Sequence, residues 1–355
     1  MRNCLLFLVA AALFACGTGE APHANALEEV TASVAPSQAL PHLSAFKLIL
    51  GNGENVGVPT DYTHPDYFYT ISEGATDFVV YKAPNDGSTH GTSNNTRTEL
   101  AQTQKWSATD SARLTGTCRV MNVSATGDAR VAASYSVVVG QIHSADGFEN
   151  EPLKIFYKKF PGHDKGSVFW HYEINTAGDD NGKRWDYSTS VWGHDFSVVG
   201  PTADTYPDEP GEGIALGEDF SYVVEVADGI MKLTFESNGH STRTFTKNLV
   251  ESEYVTRVDI PAQTRALFVP IGQDGVERSA AYANEGLFFK QGAYNQTNGK
   301  DPAGNPNWQS GAETHDGDVA AQYADGNYAE VWFSEGSIEV PVRAICNEGY
   351  FTKND

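Results

Sequence analysis

Short runs of alternating apolar and polar residues recur along this chain, and long apolar stretches with a 3.6-residue period are absent. Phe78–Tyr81, Ala132–Val139, Ile155–Tyr157, Val168–Ile174, Tyr222–Val226, Met231–Glu236, Arg265–Pro270 and Ala329–Phe333 all read this way. Side chains on an extended strand point alternately to its two faces, so each run buries one face and wets the other. Many short strands separated by Gly- and Asn/Asp-rich turns predict a sandwich or jelly roll of two antiparallel sheets, with helix confined to short pieces. At 355 residues the chain accommodates one large all-β domain and an export segment.

The export segment lies at the N-terminus. Arg2 supplies a positive start and Leu5 to Ala15 an apolar core, and neither belongs to the fold. Leu13-Phe14-Ala15-Cys16 is similar to a bacterial lipoprotein box, which makes residues 1–15 a signal peptide and Cys16 the lipidated residue. Gly17 after the cysteine points to the outer membrane; cleavage after Ala26, giving a secreted protein, is the rival reading. Residues 16–40, with scattered Ala, Pro and Ser, read as a flexible tether, and residues 41–355 as the single all-β domain. Two cysteines remain beyond Cys4 and Cys16. In an oxidising compartment Cys118 and Cys346 suggest one disulfide, against the alternative of two separate buried thiols.

A net charge of −22 argues against nucleic acid as a partner. It does not exclude an anionic ligand, because local field decides at a groove; Arg97 and Lys290, with Lys300 or Arg184, can make a basic cleft. Among metal and hydrolase motifs little stands out. Asp179-Asp180-Asn181-Gly182, with Asp186 beyond, gives weak support for a structural calcium, and a hairpin turn is the simpler reading. No zinc spacing and no G-x-S-x-G elbow is present, so no cofactor is expected. Trp170, Trp185 and Trp192 are candidates for stacking on sugar rings, with core packing as the alternative.

Three strands carry unusually functional polar faces. L-F-F-K-Q-G-A-Y-N-Q (287–296) places Phe288, Lys290, Gly292, Tyr294 and Gln296 on one side, with the glycine leaving room for a ligand. T-R-T-E-L (96–100) pairs Arg97 with Glu99, and S-V-V-V-G-Q-I-H-S (136–144) presents Gln141 with His143 while Ile142 points away. Each has an ordinary reading alone: a structural histidine, a same-face ion pair, a half-buried tyrosine.

Together R-T-E-L, Q-I-H and F-F-K-Q-G-A-Y-N-Q resemble, in order, the three signature motifs of polysaccharide lyase family 7 alginate lyases: R-[ST]-E-[LV]-R, Q-[IV]-H and Y-F-K-A-G-x-Y-N-Q. Ala101 stands where the family has a second arginine, Phe288 replaces a tyrosine and Gln291 an alanine. The resemblance implies a β-jelly-roll with a concave substrate groove, acting as a monomer on alginate, a 1,4-linked polymer of mannuronate and guluronate. Cleavage there is β-elimination: the C5 proton is removed, the C4 oxygen leaves, and a C4=C5 double bond remains.

The residue types suit that chemistry. The C5 proton is barely acidic until the adjacent carboxylate is neutralised, a task the resemblance assigns to Arg97 and Gln141. His143 is then the base for guluronate, where proton and leaving oxygen are anti, with Tyr294 as acid. For mannuronate, where they are syn, Tyr294 can serve both roles. Glu99 orients the cations, Lys290 supports them, and Gln296 is expected to contact sugar. Within the resembled family, isoleucine between the Gln and His of the second motif goes with guluronate-containing blocks, so Ile142 implies that preference here. Alternatives are a lyase for another uronan such as glucuronan, or a non-catalytic alginate-binding surface lipoprotein, for which Ala101 is the best argument.

Overall fold

Alternation is written most plainly in two strands at the centre of one sheet. In β7 (Ala112–Asn122) Ala112, Leu114, Cys118 and Val120 are buried, and in β13 (Asp219–Ala227) Phe220, Tyr222, Val224 and Val226 are, with the intervening residues part-exposed. The computed structural model describes residues 34–89, 93–145, 151–174, 185–194, 207–251, 282–283, 285–304 and 309–341. Residues Ser33–Asp355 gather into one compact unit.

Two antiparallel sheets make a jelly roll. The first holds β1 (Phe46–Ile49), β2 (Asn55–Gly57), β5 (Arg97–Gln102), β8 (Ser136–Ser144), β9 (Leu153–Lys158), β10 (Lys165–Ile174), β11 (Trp185–Trp192) and β16 (Gly286–Asn295). Their order is β11-β10-β9-β8-β16-β5-β1-β2, with β6 (Trp106–Ser107) on β16 and β12 (Ile214–Ala215) on β10. The second runs β15-β14-β13-β7-β17-β4-β3, adding β3 (Phe68–Glu73), β4 (Thr76–Pro84), β14 (Ile230–Ser237), β15 (Arg243–Asn248) and β17 (Tyr328–Glu339). Between the sheets lie Leu48, Leu100, Trp106, Phe289, Tyr222, Leu114 and Phe333 in one apolar core. Helix is limited to α1 (Pro36–Ala39) and α2 (Val319–Ala324) plus short 3₁₀ turns among the described residues, as the sequence predicts.

Seven of the eight alternating runs fall wholly or partly in strands; Ala132–Val139 enters β8 only at Ser136, and Arg265–Pro270 lies outside the described residues. So do the signal peptide, Cys16, most of the tether, the 179–182 turn, Arg184 and Cys346. Cys118 is fully buried in β7, where burial pushes its thiol well above its ordinary pKa. No helix among the described residues is long and apolar enough to cross a membrane. Trp170 and Trp192 are core residues, packed on Phe245 and on Phe220 and Phe235 respectively.

Two irregularities decide which side chains reach the open face of the first sheet. Against β8, β16 carries an extra residue between Gln291 and Tyr294, and against β9, β8 carries one between Val138 and Gly140. Such bulges re-aim the side chains beyond them. In β8 the second bulge turns Val138 outward on one side and Gln141 and His143 outward on the other, although their parity differs. In β16 Gly292 sits at φ 145°, and a Cβ there would meet the Thr98 carbonyl at 2.6 Å, the Glu99 Cα at 2.9 Å and the Tyr81 ring at 3.0 Å. The expected space for a ligand at this glycine is therefore absent. It is filled by the backbone of β5 and the core, because the bulge rotates the position inward.

Gly292→Ala is expected to lower stability by about 1–3 kcal/mol, the usual cost of a strained backbone position, with the true value above that if β5 must shift. Denaturant unfolding of the variant checks this, and an unchanged midpoint would refute the assigned role of the bulge.

Candidate active site

Strands far apart in sequence become neighbours through the order β8-β16-β5-β1. Register places Arg97 beside Tyr294, Glu99 beside Gly292, Ala101 beside Lys290, Lys290 beside Gln141, and Phe288 beside His143. Residues paired across antiparallel strands share a face. From one end of the site to the other the groups therefore run Tyr294 and Arg97, Glu99, Lys290 and Gln141, then His143.

Glu99 is the hub. Its carboxylate, 2 % exposed, accepts from Arg97 Nη1 at 3.2 Å, accepts a short hydrogen bond from Gln141 Nε2, and lies 3.8 Å from Lys290 Nζ. Arg97 also donates through Nη2 to Ser93 Oγ at 2.6 Å, and its guanidinium lies 3.8 Å from the centre of the Tyr294 ring. Burial alone opposes the charge on Arg97, but Tyr294, Glu99 and Glu151 outweigh it and raise its pKa. Burial lowers Lys290 to about 8 against the opposing pull of Glu99, so its ammonium is charged at neutral pH and discharges in mild alkali. Arg97 Nε and Gln141 Oε1 are buried with no hydrogen-bond partner among the described residues. Such unfilled capacity is costly to leave unmet and suits a site that binds a polar ligand.

His143 stacks on Phe288 with ring centres 5.0 Å apart and planes 25° from parallel. Its Nδ1 lies 2.5 Å from the Ser144 carbonyl, which can only accept, so this nitrogen carries the proton. Nε2 faces Glu151 Oε1 at 3.3 Å. Burial first, then the Lys290 charge, push the imidazole well below its ordinary pKa, while Glu151 resists. The side chain is 21 % exposed, so the neutral ring is partly open to the cleft.

Tyr294 packs over Val138, Phe156 and Phe169, and its hydroxyl lies 3.4 Å from Ser93 Oγ. Asn295 fixes the strand end by donating to the carbonyls of Ala83 and Pro84 and to Asn85 Oδ1. The segment after β16 packs against the one before β5, through Asn298 to Asn95 at 2.7 Å and Lys300 to Asn94 at 2.5 Å. This places the 297–304 stretch as a wall at the tyrosine end. Gln296 is 2 % exposed there, with Nε2 3.5 Å from the Tyr294 carbonyl.

Thus Arg97, Glu99, Gln141, His143, Lys290 and Tyr294 converge as the sequence predicts, while Gln296 sits buried past the strand end. Gln291 points the other way, into the core, bonding Tyr222 Oη, the Thr115 carbonyl and His42 Nε2. Sequence reasoning missed Ser93 and Glu151, which lie in loops with no strand pattern to mark them. A cavity of about 270 Å³ adjoins the cluster, lined by Lys47, Arg97, Glu99, Ala101, Lys105 and Lys290 among others. A larger and more open depression of about 770 Å³, beside Arg113, Glu225 and Glu339, holds none of the expected site residues. No group of three His, Cys, Asp or Glu side chains suited to a metal occurs among the described residues.

Fold and site together define a jelly roll whose open face carries a cation- and amide-lined cleft with a neutral histidine and a tyrosine at its two ends. The chain belongs to the alginate lyase 2 family, which matches residues 42–340. It is similar to the crystal structure of an exolytic PL7 alginate lyase from Zobellia galactanivorans, at 57 % identity and a TM-score of 0.79, covering 87 % of this chain and 99 % of that one. The crystal structure of a Klebsiella pneumoniae alginate lyase shares the fold at 20 % identity and a TM-score of 0.59, over 85 % of this chain and 97 % of that one. An alginate lyase sequence from Klebsiella pneumoniae is 28 % identical over 160 residues, 45 % of this chain and 41 % of that relative. The chain thus matches less than half the length of this last relative.

Glu99 lifts the Lys290 pKa, so Glu99→Gln is expected to move it further below about 8. NMR titration of the lysine side chain reads this directly, and an unmoved or raised value would remove Glu99 as its controlling partner.

Proposed function

We propose that this protein is an alginate lyase that cleaves by β-elimination from a chain end, favouring guluronate-containing blocks. The observation that carries the reading is the order of groups along the site: His143 and Tyr294 bracket Arg97, Glu99, Lys290 and Gln141. A uronate seated in the cleft presents its carboxylate to the Arg97 and Gln141 side chains: the unfilled Arg97 Nε can donate to it, while the unfilled Gln141 Oε1 is an acceptor for a neighbouring sugar hydroxyl. Neutralising that carboxylate makes the C5 proton acidic enough to remove. His143 Nε2, its other nitrogen fixed by Ser144, takes the proton, and the Tyr294 hydroxyl delivers one to the departing C4 oxygen. Base and acid at opposite ends suit anti-elimination, the geometry of guluronate. Glu99 and Lys290 hold the donors in place, and Gln296 supports the tyrosine end.

End-wise attack is supported by the similarity to the exolytic lyase and by how the sheet face closes. Across the row Lys47–Ala101–Lys290–Gln141–Lys154–His171, Lys47 is exposed and Ala101 part-exposed, while Lys290 to His171 are all buried. Beyond His143, Lys154 pairs with Glu151 at 3.1 Å and Glu173 at 2.6 Å, filling the face over β9 and β10. Among the described residues this supports a cleft that is open on the β1 side and filled over β9 and β10.

Incubation with alginate is expected to raise ultraviolet absorbance from unsaturated ends, with polyguluronate cut faster than polymannuronate. Small unsaturated products should appear from the first minutes while polymer size falls slowly. Rapid early loss of viscosity would refute end-wise cleavage, and no absorbance rise would refute the lyase. His143→Ala and Tyr294→Phe should each reduce turnover at least ~10²-fold, the lower range for a lost general acid or base; substantial activity in either removes that residue from its role.

The acid limb of kcat/KM follows protonation of His143 and should lie below pH 6.5, because the imidazole pKa is depressed. Lys290→Met removes a charge that lowers that pKa, so the limb should move to higher pH. Glu151→Gln removes one that raises it, so the limb should move lower. A limb unmoved in both variants would show that another group sets it.

A further inference from the structure

Ala101 lacks the side chain that would have carried positive charge at its place on the open face, yet it is flanked by two cations. In register across β1, β5 and β16, Lys47 stands on one side of Ala101 and Lys290 on the other. Adjacent positions on neighbouring antiparallel strands share a face with Cβ atoms about 4.5–5.5 Å apart. Lys290 is buried against Glu99, but Lys47 is exposed and has no ion pair or side-chain hydrogen bond among the described residues. In a chain of net charge −22, this lysine lines the 270 Å³ cavity that continues the cleft toward its open side. The one carboxylate lining that cavity among the described residues, Glu99, is already engaged by Arg97, Gln141 and Lys290. Lys105 lines the same cavity. The short side chain at Ala101 leaves the space between Lys47 and Lys290 open.

We propose that Lys47 is a substrate-binding residue whose ammonium holds the carboxylate of a uronate next to the one being cleaved, in the space that Ala101 leaves open. This rests on the uronate-binding reading of the cleft. β1 and β16 lie two strand spacings apart, roughly 10 Å, so Lys47 is placed for a neighbouring sugar and not for the one whose C5 proton is removed. A point charge on a flexible stem tolerates more than one pose of that sugar, whereas an arginine at 101 would fix a carboxylate in a planar fork. Lys47 thus sets affinity for the chain beyond the cleaved unit and leaves the chemistry alone.

Lys47→Ala is expected to raise KM for polymeric alginate roughly three- to tenfold with kcat little changed, the range for a charge-assisted contact partly open to solvent. Lys47→Glu should raise it further, Lys47→Arg should stay near wild type, and Ala101→Arg added to Lys47→Ala should bring KM back down. The difference between wild type and Lys47→Ala should shrink as salt is added, because the contact is screened. A structural role for Lys47 would show neither the charge ordering nor the rescue. Unchanged KM in both Lys47→Ala and Lys47→Glu overturns the proposal. Calorimetric Kd values for a guluronate oligosaccharide, taken on the same variants, decide Lys47 independently of turnover. A wild type that binds the oligosaccharide without forming unsaturated ends would overturn the lyase reading while the Kd comparison still stands or falls alone.

Discussion

A single buried carboxylate holds the site together. Glu99 accepts from Arg97 and Gln141 and neutralises Lys290, three groups delivered by three different strands. Without it two cations would sit buried side by side, and removing one member of such a buried set typically costs about 3–5 kcal/mol. With it, the guanidinium and the amide are held in place while keeping a buried Nε and a buried Oε1 unfilled. The first is a donor and the second an acceptor, both with their orientation already fixed, so the pair suits a ligand that offers an acceptor and a hydroxyl together. The strong overall negative charge is no obstacle, because the field at the cleft comes from these few cations in a low-dielectric pocket.

Where those donors point depends on two one-residue irregularities. A regular β8 would alternate from Val138 through Gly140 to Ile142 and bury His143 and Gln141. The bulge before Gly140 reverses that parity, so the valines pack inward at 137 and 139 while the amide and imidazole face the cleft. The Gly292 bulge then separates Lys290 from Tyr294 along β16, leaving the Tyr294 ring against Arg97. Only glycine fits there, since β5 backbone occupies the place of a side chain.

The histidine is tuned by the same neighbours that build the cleft. Burial and Lys290 favour its neutral form, and Glu151 favours the charged one, so the ring can take a proton and hold it beside a carboxylate. Phe288 fixes the ring plane by stacking. The Glu151–Lys154–Glu173 ion pairs adjoin it at β9 and β10, so the carboxylate that favours the charged imidazole is itself held by Lys154.

Much of this was legible in the residues. Alternation with period two gave the strands, because burying one face of a sheet is a local constraint that every run must satisfy. The three polar motifs gave Arg97, Glu99, Gln141, His143, Lys290 and Tyr294, because spacing of two keeps groups on one face. Strict alternation misread Gly292 as open space, since a bulge leaves no local mark. It also could not show Gln291 turned into the core, or Ser93 and Glu151 arriving from loops. The sequence by itself determined the strands, the sandwich and the chemical groups of the site. Only the tertiary structure decided which strands became neighbours, which faces the bulges turned outward, and that Lys47 lines the cavity beside the cluster. Those depend on pairing between distant segments, and pairing is settled by the whole core at once.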